Sequence, residues 1–250
     1  MIDLLLTRPL AQAQSFAARA VAACSGRVRP IIWPLIRIED EPVALALDGV
    51  QALLFTSSNA VQAFARLSDR RDLPALCVGD VSAAAARAVG LTASSAQGDV
   101  GALARLAAAA YLPGAGAYMH LRGHDMAGDL AGALRAEGIH VREAVVYAAR
   151  PAMTVPDMAA TALTGRQPKI VTIFSPRTAR LFAGFAGQAA DTGAAWALQE
   201  AVAVAISRAA ADPLTDLGFA GLMVAARPDS DAMCSALTRI VGDPGAPAHR

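Results

Sequence analysis

The chain has 250 residues, a length that favours two α/β domains of ordinary size over one larger domain. Its 22 lysine and arginine residues nearly balance 21 aspartate and glutamate residues and are scattered along the chain, so no electrostatic surface for nucleic acid is indicated. The apolar fraction is 55%, yet no apolar run approaches the roughly 20 residues that a membrane-spanning helix needs, and we expect no membrane partner.

Short apolar runs alternate with helical patterns along the whole chain. The runs that predict strands cover residues 2–7, 28–32, 52–56, 75–78, 118–121, 141–147, 170–174, 202–206 and 221–225. A helical pattern follows Pro9, and further helices are predicted to begin at Asn59, Ser82, Asp125, Arg177, Ala209 and Ser230. This alternation predicts parallel sheets that are covered by helices on both faces.

The chain also contains an internal repeat of three strand-helix units. The segment that starts at Phe55 resembles the one at Phe174, and the segment at Cys77 resembles the one at Ala205. The segment that starts at Leu6 likewise resembles the one that starts at Leu121. The shared order predicts two like domains that face each other, with a ligand cleft beyond the carboxyl ends of their strands.

The turns at those strand ends carry small and hydroxyl residues directly before helices. A helix N-terminus offers free backbone N–H groups and a positive dipole end, so such turns are suited to carboxylate or phosphate. The same serines and threonines are also ordinary helix caps, and both interpretations stay open. Arginines beside these turns could grip a carboxylate bidentately: Arg8, Arg122, Arg177 and Arg208.

No signature of stronger chemistry occurs in the sequence. There is no phosphate loop, dinucleotide glycine fingerprint or serine nucleophile elbow. Cys24, Cys77 and Cys234 lie too far apart for a disulfide framework or metal-ligand spacing. No spacing that resembles a zinc site occurs among the histidines His120, His124, His140 and His249.

As an ordered set, the turn sequences resemble the uroporphyrinogen-III synthase family over nearly the whole chain. The segments that carry the resemblance begin at Phe55, Val78, Leu121 and Phe174, and include Val145-Val146-Tyr147. The resemblance implies two α/β domains, each a parallel sheet flanked by helices, joined by a two-stranded linker with a cleft between them. It assigns residues 1–34 plus 152–250 to one domain and 38–148 to the other, with linker strands near 34–38 and 147–151.

The resemblance also implies the reaction. Members of the family are lyases of haem and porphyrin biosynthesis that close hydroxymethylbilane, a linear tetrapyrrole, with loss of water and inversion of ring D through a spiro intermediate. No cofactor is needed. Hydroxymethylbilane is then the small-molecule partner, handed over transiently from hydroxymethylbilane synthase, and the protein is expected to be a monomer. The N-terminus lacks a basic region before its apolar run, which predicts a cytoplasmic location.

The family resemblance implies the site residues one by one. Tyr147 matches a tyrosine thought to hydrogen-bond the departing hydroxyl, and is the predicted catalytic residue. Ala210 departs from the family, which often has threonine there. The predicted substrate-binding residues are Thr7, Arg8, Thr56, Ser57, Ser58, Gly79, Asp80, Val81, Ser82, Arg122, Gly123, Ser175, Pro176, Ser207, Arg208, Ala209 and Ala210.

Two other interpretations remain open on the sequence. The first is a non-catalytic protein on the same duplicated plan that binds a polycarboxylate in its cleft. The second is a degenerate family member that scaffolds other pathway enzymes, an idea motivated by Ala210. Turnover of hydroxymethylbilane distinguishes both from the enzyme.

Overall fold

A computed structural model describes residues 1–126 and 128–242 of the chain, and His249 lies outside the described residues. In chain order its elements are β1 (Ile2–Leu6), α1 (Leu10–Ala23), β2 (Val28–Ile32), β3 (Ile36–Asp40), β4 (Val50–Phe55), α2 (Ser58–Leu67), β5 (Ala75–Cys77), α3 (Asp80–Ala88), β6 (Ala93–Ser95), α4 (Val100–Ala110), β7 (Ala117–Gly123), α5 (Leu130–Ala136), β8 (Val141–Pro151), α6 (Asp157–Thr164), β9 (Lys169–Ile173), α7 (Pro176–Asp191), β10 (Ala201–Ala205), α8 (Arg208–Ala211), β11 (Gly221–Val224) and α9 (Ser230–Gly242). Short 3-10 helices lie at Leu198–Glu200 and Asp212–Leu214.

These elements form two compact units. The first unit comprises Met1–Arg37 together with the described residues from Pro151 onward, and the second unit is Ile38–Arg150. The chain passes from one unit to the other within β3 and returns within β8. Each unit contains its own sheet.

The sheet of the first unit has the strand order β11-β10-β9-β1-β2, and all of its neighbouring strands are parallel. In β1, alternate side chains enter opposite faces: Leu5 packs in one core cluster with Phe182, while Leu4 and Leu6 pack in another with Phe16. A sheet covered on both faces explains why its strands are continuous apolar runs in the sequence.

The sheet of the second unit has the order β3-β8-β7-β4-β5-β6, in which the five strands from β8 to β6 are parallel to their neighbours. Its two faces are again both covered, because Leu53 and Phe55 of β4 pack with Phe64 of α2, whereas Leu54 packs with Leu103 of α4. The predicted α/β class, with parallel sheets flanked by helices, is confirmed.

The strand orders also confirm the internal repeat. Read outward from the same edge, β2-β1-β9-β10-β11 in the first unit corresponds to β8-β7-β4-β5-β6 in the second. Each predicted pair of segments, β1 with β7, β9 with β4 and β10 with β5, therefore occupies the same place in its sheet. The additional strand of the second unit is β3, at the edge beside β8.

Several predicted element boundaries differ from those observed. The helix predicted from Asp125 begins at Leu130, because the Asp129 carboxylate, not Asp125, caps it by accepting the Gly132 backbone N–H at 2.8 Å. The helix predicted from Ser82 begins two residues earlier, at Asp80, with Gly79 as its N-cap. Ser82 therefore lies inside the first turn of α3 rather than ahead of it. Among the described residues, no helix is long and apolar enough to cross a membrane.

Candidate active site

In the second unit, the predicted turns lie side by side at one edge of the sheet. Strand β4 lies between β5 and β7, and Phe55 at its end is level with Cys77 on one side and Leu121 on the other. The turns that follow these strands therefore share the carboxyl edge, where parallel α/β sheets bind ligands. The predicted residues brought together there are Thr56, Ser57, Ser58, Gly79, Asp80, Val81, Ser82, Arg122 and Gly123.

These residues differ in what they offer a ligand. The Ser57 hydroxyl caps α2 by accepting the Asn59 backbone N–H at 3.1 Å, so it already has a structural role. Val81 is 77% exposed, whereas the Ser82 side chain is buried against the core side of α3. The turn after β5 thus presents backbone and an exposed apolar side chain rather than the Ser82 hydroxyl.

Arg122 is held by an acid on the neighbouring strand. Its Nε donates to Glu143 Oε1 at 2.9 Å, and its Nη1 donates to the Gly123 carbonyl at 3.1 Å. Arg135 donates to the other carboxylate oxygen of Glu143 at 3.0 Å. Burial opposes ionisation of Glu143, but the hydrogen bonds from Arg122 and Arg135 outweigh it and lower the pKa of this carboxyl. Arg122 therefore already has a carboxylate partner within the unit, which it shares with Arg135.

A buried histidine lies under this ion-pair group. The His120 imidazole is only 2% exposed, and neither ring nitrogen has a hydrogen-bond partner in the described part of the chain. Its Nδ1 is 3.9 Å from Glu143, too far for a hydrogen bond. Burial lowers the pKa of His120 to about 4, so the ring is neutral near pH 7. This side chain therefore lies in the core of its unit.

Tyr147 lies on β8, directly opposite Gly123 at the end of β7. Its backbone carbonyl accepts the His124 N–H at 3.0 Å. Its ring is partly buried against the core cluster that contains Phe55 and Leu121. The predicted catalytic phenol is thus at the same sheet edge as the predicted binding turns of its unit.

The first unit presents an equivalent edge. Strand β9 lies between β1 and β10, with Ile173 level with Ala205 and the preceding Thr172 level with Leu6. The turns beyond these residues are therefore neighbours. The predicted residues at this edge are Thr7, Arg8, Ser175, Pro176, Ser207, Arg208, Ala209 and Ala210.

Arg8 has a different environment from Arg122. Its guanidinium stacks on the Phe174 ring, 4.1 Å from the ring centroid, and its Nη1 donates to Ser230 Oγ at 3.3 Å. Its Nε is buried and has no hydrogen-bond partner among the described residues. Burial, with a smaller contribution from Arg19, lowers the pKa of Arg8 from its usual value. A partly desolvated cation of this kind favours an incoming carboxylate.

Other predicted residues of this unit have their polar groups engaged inside the protein. The fully buried Thr7 hydroxyl donates to the Thr172 carbonyl at 2.6 Å. Ser175 caps α7 by accepting the Thr178 N–H at 3.1 Å. Ser207 Oγ accepts the N–H of the buried Ala210 at 3.3 Å, so this N–H is not free either. Helix capping therefore accounts for these serines without a ligand.

Three further residues of the site region were not predicted as site residues. Glu143 neutralises Arg122, Phe174 supports Arg8, and Ser230 at the start of α9 accepts a hydrogen bond from Arg8. Phe174 ends an apolar run directly before a hydroxyl turn, which was a usable signal. Glu143 and Ser230 become neighbours of the arginines only through strand pairing and helix packing.

The described residues contain no group of three or more histidine, cysteine, aspartate or glutamate side chains that could hold a metal ion. The polar groups at both edges are instead backbone amides, hydroxyls and arginines. The fold and these turns define a class: a duplicated α/β protein whose ligand groups suit an anionic organic molecule.

Comparison with known proteins narrows the class to a family. The sequence profile of the HEM4 family, described as uroporphyrinogen-III synthase HemD, matches residues 18–235. The chain belongs to the uroporphyrinogen-III synthase family. No curated protein sequence gives a significant pairwise match.

Solved structures agree on the fold. The chain is similar to the crystal structure of uroporphyrinogen-III synthetase from Helicobacter pylori 26695, with a TM-score of 0.62 and 17% identity over 96% of this chain and 100% of that one. It is also similar to a mutant uroporphyrinogen III synthase from the extremely thermophilic bacterium Thermus thermophilus, with a TM-score of 0.50 and 17% identity over 97% of this chain and 100% of that one.

Proposed function

We propose that this protein is a lyase that converts hydroxymethylbilane into uroporphyrinogen III, and that Tyr147 assists the departure of the substrate hydroxyl. The observation that carries the proposal is the family match over residues 18–235, which spans most of both units. The binding-only alternative is not favoured by this match, because the matching family is defined by a synthase.

The reaction begins with loss of the terminal hydroxyl, which leaves an electrophilic azafulvene. Attack by the substituted carbon of ring D forms a spiro intermediate, and its fragmentation and reclosure invert that ring. Closure without an enzyme gives isomer I, so the protein must favour the spiro route. A hundredfold preference needs a barrier difference of only about 2.7 kcal/mol, which positioning of a flexible substrate can supply.

Carboxylates of the substrate bind, in this proposal, at carboxyl-edge turns that precede helices. Helix N-termini each contribute about 0.3–1 kcal/mol to binding of an exposed anion and up to ~2 kcal/mol in a partly buried geometry. Helices α2, α3 and α7 begin at these turns. The serine side chains that precede α2 and α7 are occupied as caps, so backbone N–H groups are the expected donors.

Two arginines near the carboxyl ends of the corresponding strands β1 and β7 have different roles in this proposal. Arg8 has no carboxylate partner among the ion pairs of the described residues, and it is the stronger candidate for binding a propionate or acetate. Arg122 forms an ion pair with Glu143, which stabilises the turn after β7. Arg208, 87% exposed and 3.8 Å from Asp212, contributes at most weakly.

Tyr147 acts as a hydrogen-bond donor to the departing hydroxyl. A phenol O–H can donate a hydrogen bond to a leaving hydroxyl and assist its departure without full proton transfer. Its hydroxyl has no hydrogen-bond partner among residues 1–126 and 128–242. It is therefore available to a substrate at the edge of the sheet.

We further propose that the protein acts as a cytoplasmic monomer that receives hydroxymethylbilane from the synthase that makes it. The substrate closes unaided to isomer I, so rapid transfer limits this loss. Sedimentation of the protein at enzyme concentrations tests the monomer, and isomer III yields with substrate supplied by the synthase or added free test the transfer. A stable dimer, or isomer III yields that do not depend on how the substrate is supplied, would contradict them.

The decisive experiment supplies freshly generated hydroxymethylbilane to the purified protein, oxidises the products and separates the uroporphyrin isomers by chromatography. We expect isomer III to predominate and its yield to rise with protein concentration. Isomer I formed at the rate seen without protein would refute the catalytic proposal and leave the binding-only function.

A further inference from the structure

The pairing of β7 with β8 contains a one-residue register shift beside Tyr147. Residues pair regularly from Tyr118 with Val141 up to Arg122 with Val145, and then Gly123 pairs with Tyr147, so that Val146 is skipped. Paired residues of parallel strands point to the same face, and a shift by one residue reverses the face. Without the shift, Val146 would lie opposite Gly123 and Tyr147 would point to the other side.

The shift therefore directs Tyr147 to the face that carries Leu121. Val146 and Tyr147, although consecutive, both pack against the core cluster that contains Phe55 and Leu121. Irregularities of this type are frequent next to active sites, where they redirect a side chain. Here the local backbone is fixed by the hydrogen bond from the His124 N–H to the Tyr147 carbonyl at 3.0 Å.

This placement also requires that residue 123 have no side chain. A Cβ atom at Gly123 would lie 2.6 Å from Tyr147 Cζ, 2.8 Å from its hydroxyl oxygen and 2.9 Å from Cε2. The φ angle of Gly123 is not positive. A side chain at this position is therefore excluded by the steric clash with Tyr147 and not by the backbone conformation. The phenol edge occupies the volume that any other residue would fill.

An alanine at this position would displace the phenol rather than the backbone. The atoms that clash are the far end of a flexible side chain, and ordinary contact begins at about 3.4 Å. Moving Cζ from 2.6 Å to that distance requires a displacement of roughly 0.8 Å. A misplacement of about 1 Å at a reacting group is enough to cost on the order of a hundredfold in rate.

We propose that Gly123 is a positioning residue for the reaction: with the register shift of β8, its missing side chain fixes where the Tyr147 hydroxyl meets the substrate. The inference rests on the proposed function, and on the role of Tyr147 within it. It assigns Gly123 an effect on turnover through Tyr147, separate from any backbone contact to a substrate carboxylate.

The test is a double-mutant cycle of Gly123→Ala and Tyr147→Phe, measured by isomer III formation and thermal unfolding. Gly123→Ala is expected to lower kcat by roughly ten- to a hundredfold with KM within about threefold, because binding groups are unchanged. The double mutant is expected to be no slower than Tyr147→Phe alone, because the positioned hydroxyl is already absent. Gly184→Ala in α7, with nothing within 4 Å of the added Cβ, is the matched control and should keep wild-type kcat.

Three outcomes would overturn the inference. They are a wild-type kcat for Gly123→Ala, a double mutant in which the two losses multiply, or a loss that falls on KM alone. If Gly123→Ala fails to fold, adding Tyr147→Ala should restore the melting temperature to that of Tyr147→Ala, and no recovery would also overturn the inference. Wild-type protein that makes no isomer III refutes the proposed function itself, which distinguishes the two failures.

Discussion

Replacing Arg8 with glutamine is expected to weaken substrate binding far more than folding. The guanidinium lies 4.1 Å from the centroid of Phe174 and donates to Ser230 at 3.3 Å, yet its Nε is buried without a partner in the described chain. Loss of the stacking costs about 0.5–2 kcal/mol, while loss of a desolvated charge offsets part of this. The free energy of unfolding should therefore change by less than ~2 kcal/mol.

The effect on binding is expected to be larger. A hydrogen bond between a charged donor and a carboxylate contributes about 1.5–3 kcal/mol, which corresponds to a rise in KM of roughly ten- to a hundredfold. Because the contact is made equally in the bound ground state and in the transition state, kcat should change little. Initial rates of isomer III formation over a range of hydroxymethylbilane concentrations measure both constants.

Arg180→Gln is the matched control, since Arg180 is exposed on α7 of the same unit. It should leave KM within about twofold of wild type. An unchanged KM in Arg8→Gln, together with a clear loss of melting temperature, would show that Arg8 has only a structural role. The reasoning from its unpaired, partly buried charge would then be wrong.

Three further substitutions test the second unit. Tyr147→Phe should slow isomer III formation by roughly tenfold or more without lowering the melting temperature, because only the hydroxyl is lost. Glu143→Gln should lower stability and raise KM, since Arg122 and Arg135 lose their shared partner. Because the folded pKa of Glu143 is lowered, its stabilisation is present above the unfolded pKa and is lost as pH falls, so the melting-temperature deficit of the variant should shrink under acid conditions. His120→Leu should make the melting temperature less sensitive to acid. The pKa of His120 is about 4 in the folded protein and about 6.5 in the unfolded chain. Keeping His120 buried and neutral therefore lowers the free energy of unfolding by about 2 kcal/mol at pH 5 and hardly at all at pH 7.5.

Matched controls distinguish these effects from general damage. Glu137→Gln changes an exposed acid at the end of α5, and His140→Leu changes an exposed histidine. Neither should lower the melting temperature at neutral pH, because both side chains are exposed. A Tyr147→Phe variant with wild-type kcat would remove this residue from the mechanism. A Glu143→Gln deficit that stays constant from pH 7.5 to pH 4, or an acid profile unchanged in His120→Leu, would contradict the assigned protonation states.

The order and type of most elements were predictable because they depend on local patterns, but the sequence analysis did not predict β6, α4 or α6. Buried parallel strands are short apolar runs, such as 2–7 and 170–174, and helices begin where a capping residue precedes an apolar periodicity. Boundaries were less secure where two caps compete. Asp125 and Asp129 both precede the apolar face of α5, and only the structure shows that Asp129 is the residue that caps this helix.

The sequence by itself determined the α/β class, the internal repeat and the turns that lie at the carboxyl edges of the sheets, because strand ends and helix starts depend on neighbouring residues. It could not distinguish Arg8 from Arg122. That difference arises from Glu143 and Phe174, which reach the arginines only through strand pairing. The position of Tyr147 was likewise decided by tertiary structure, since a one-residue shift between β7 and β8 has no signature along the chain but reverses the direction of every side chain beyond it.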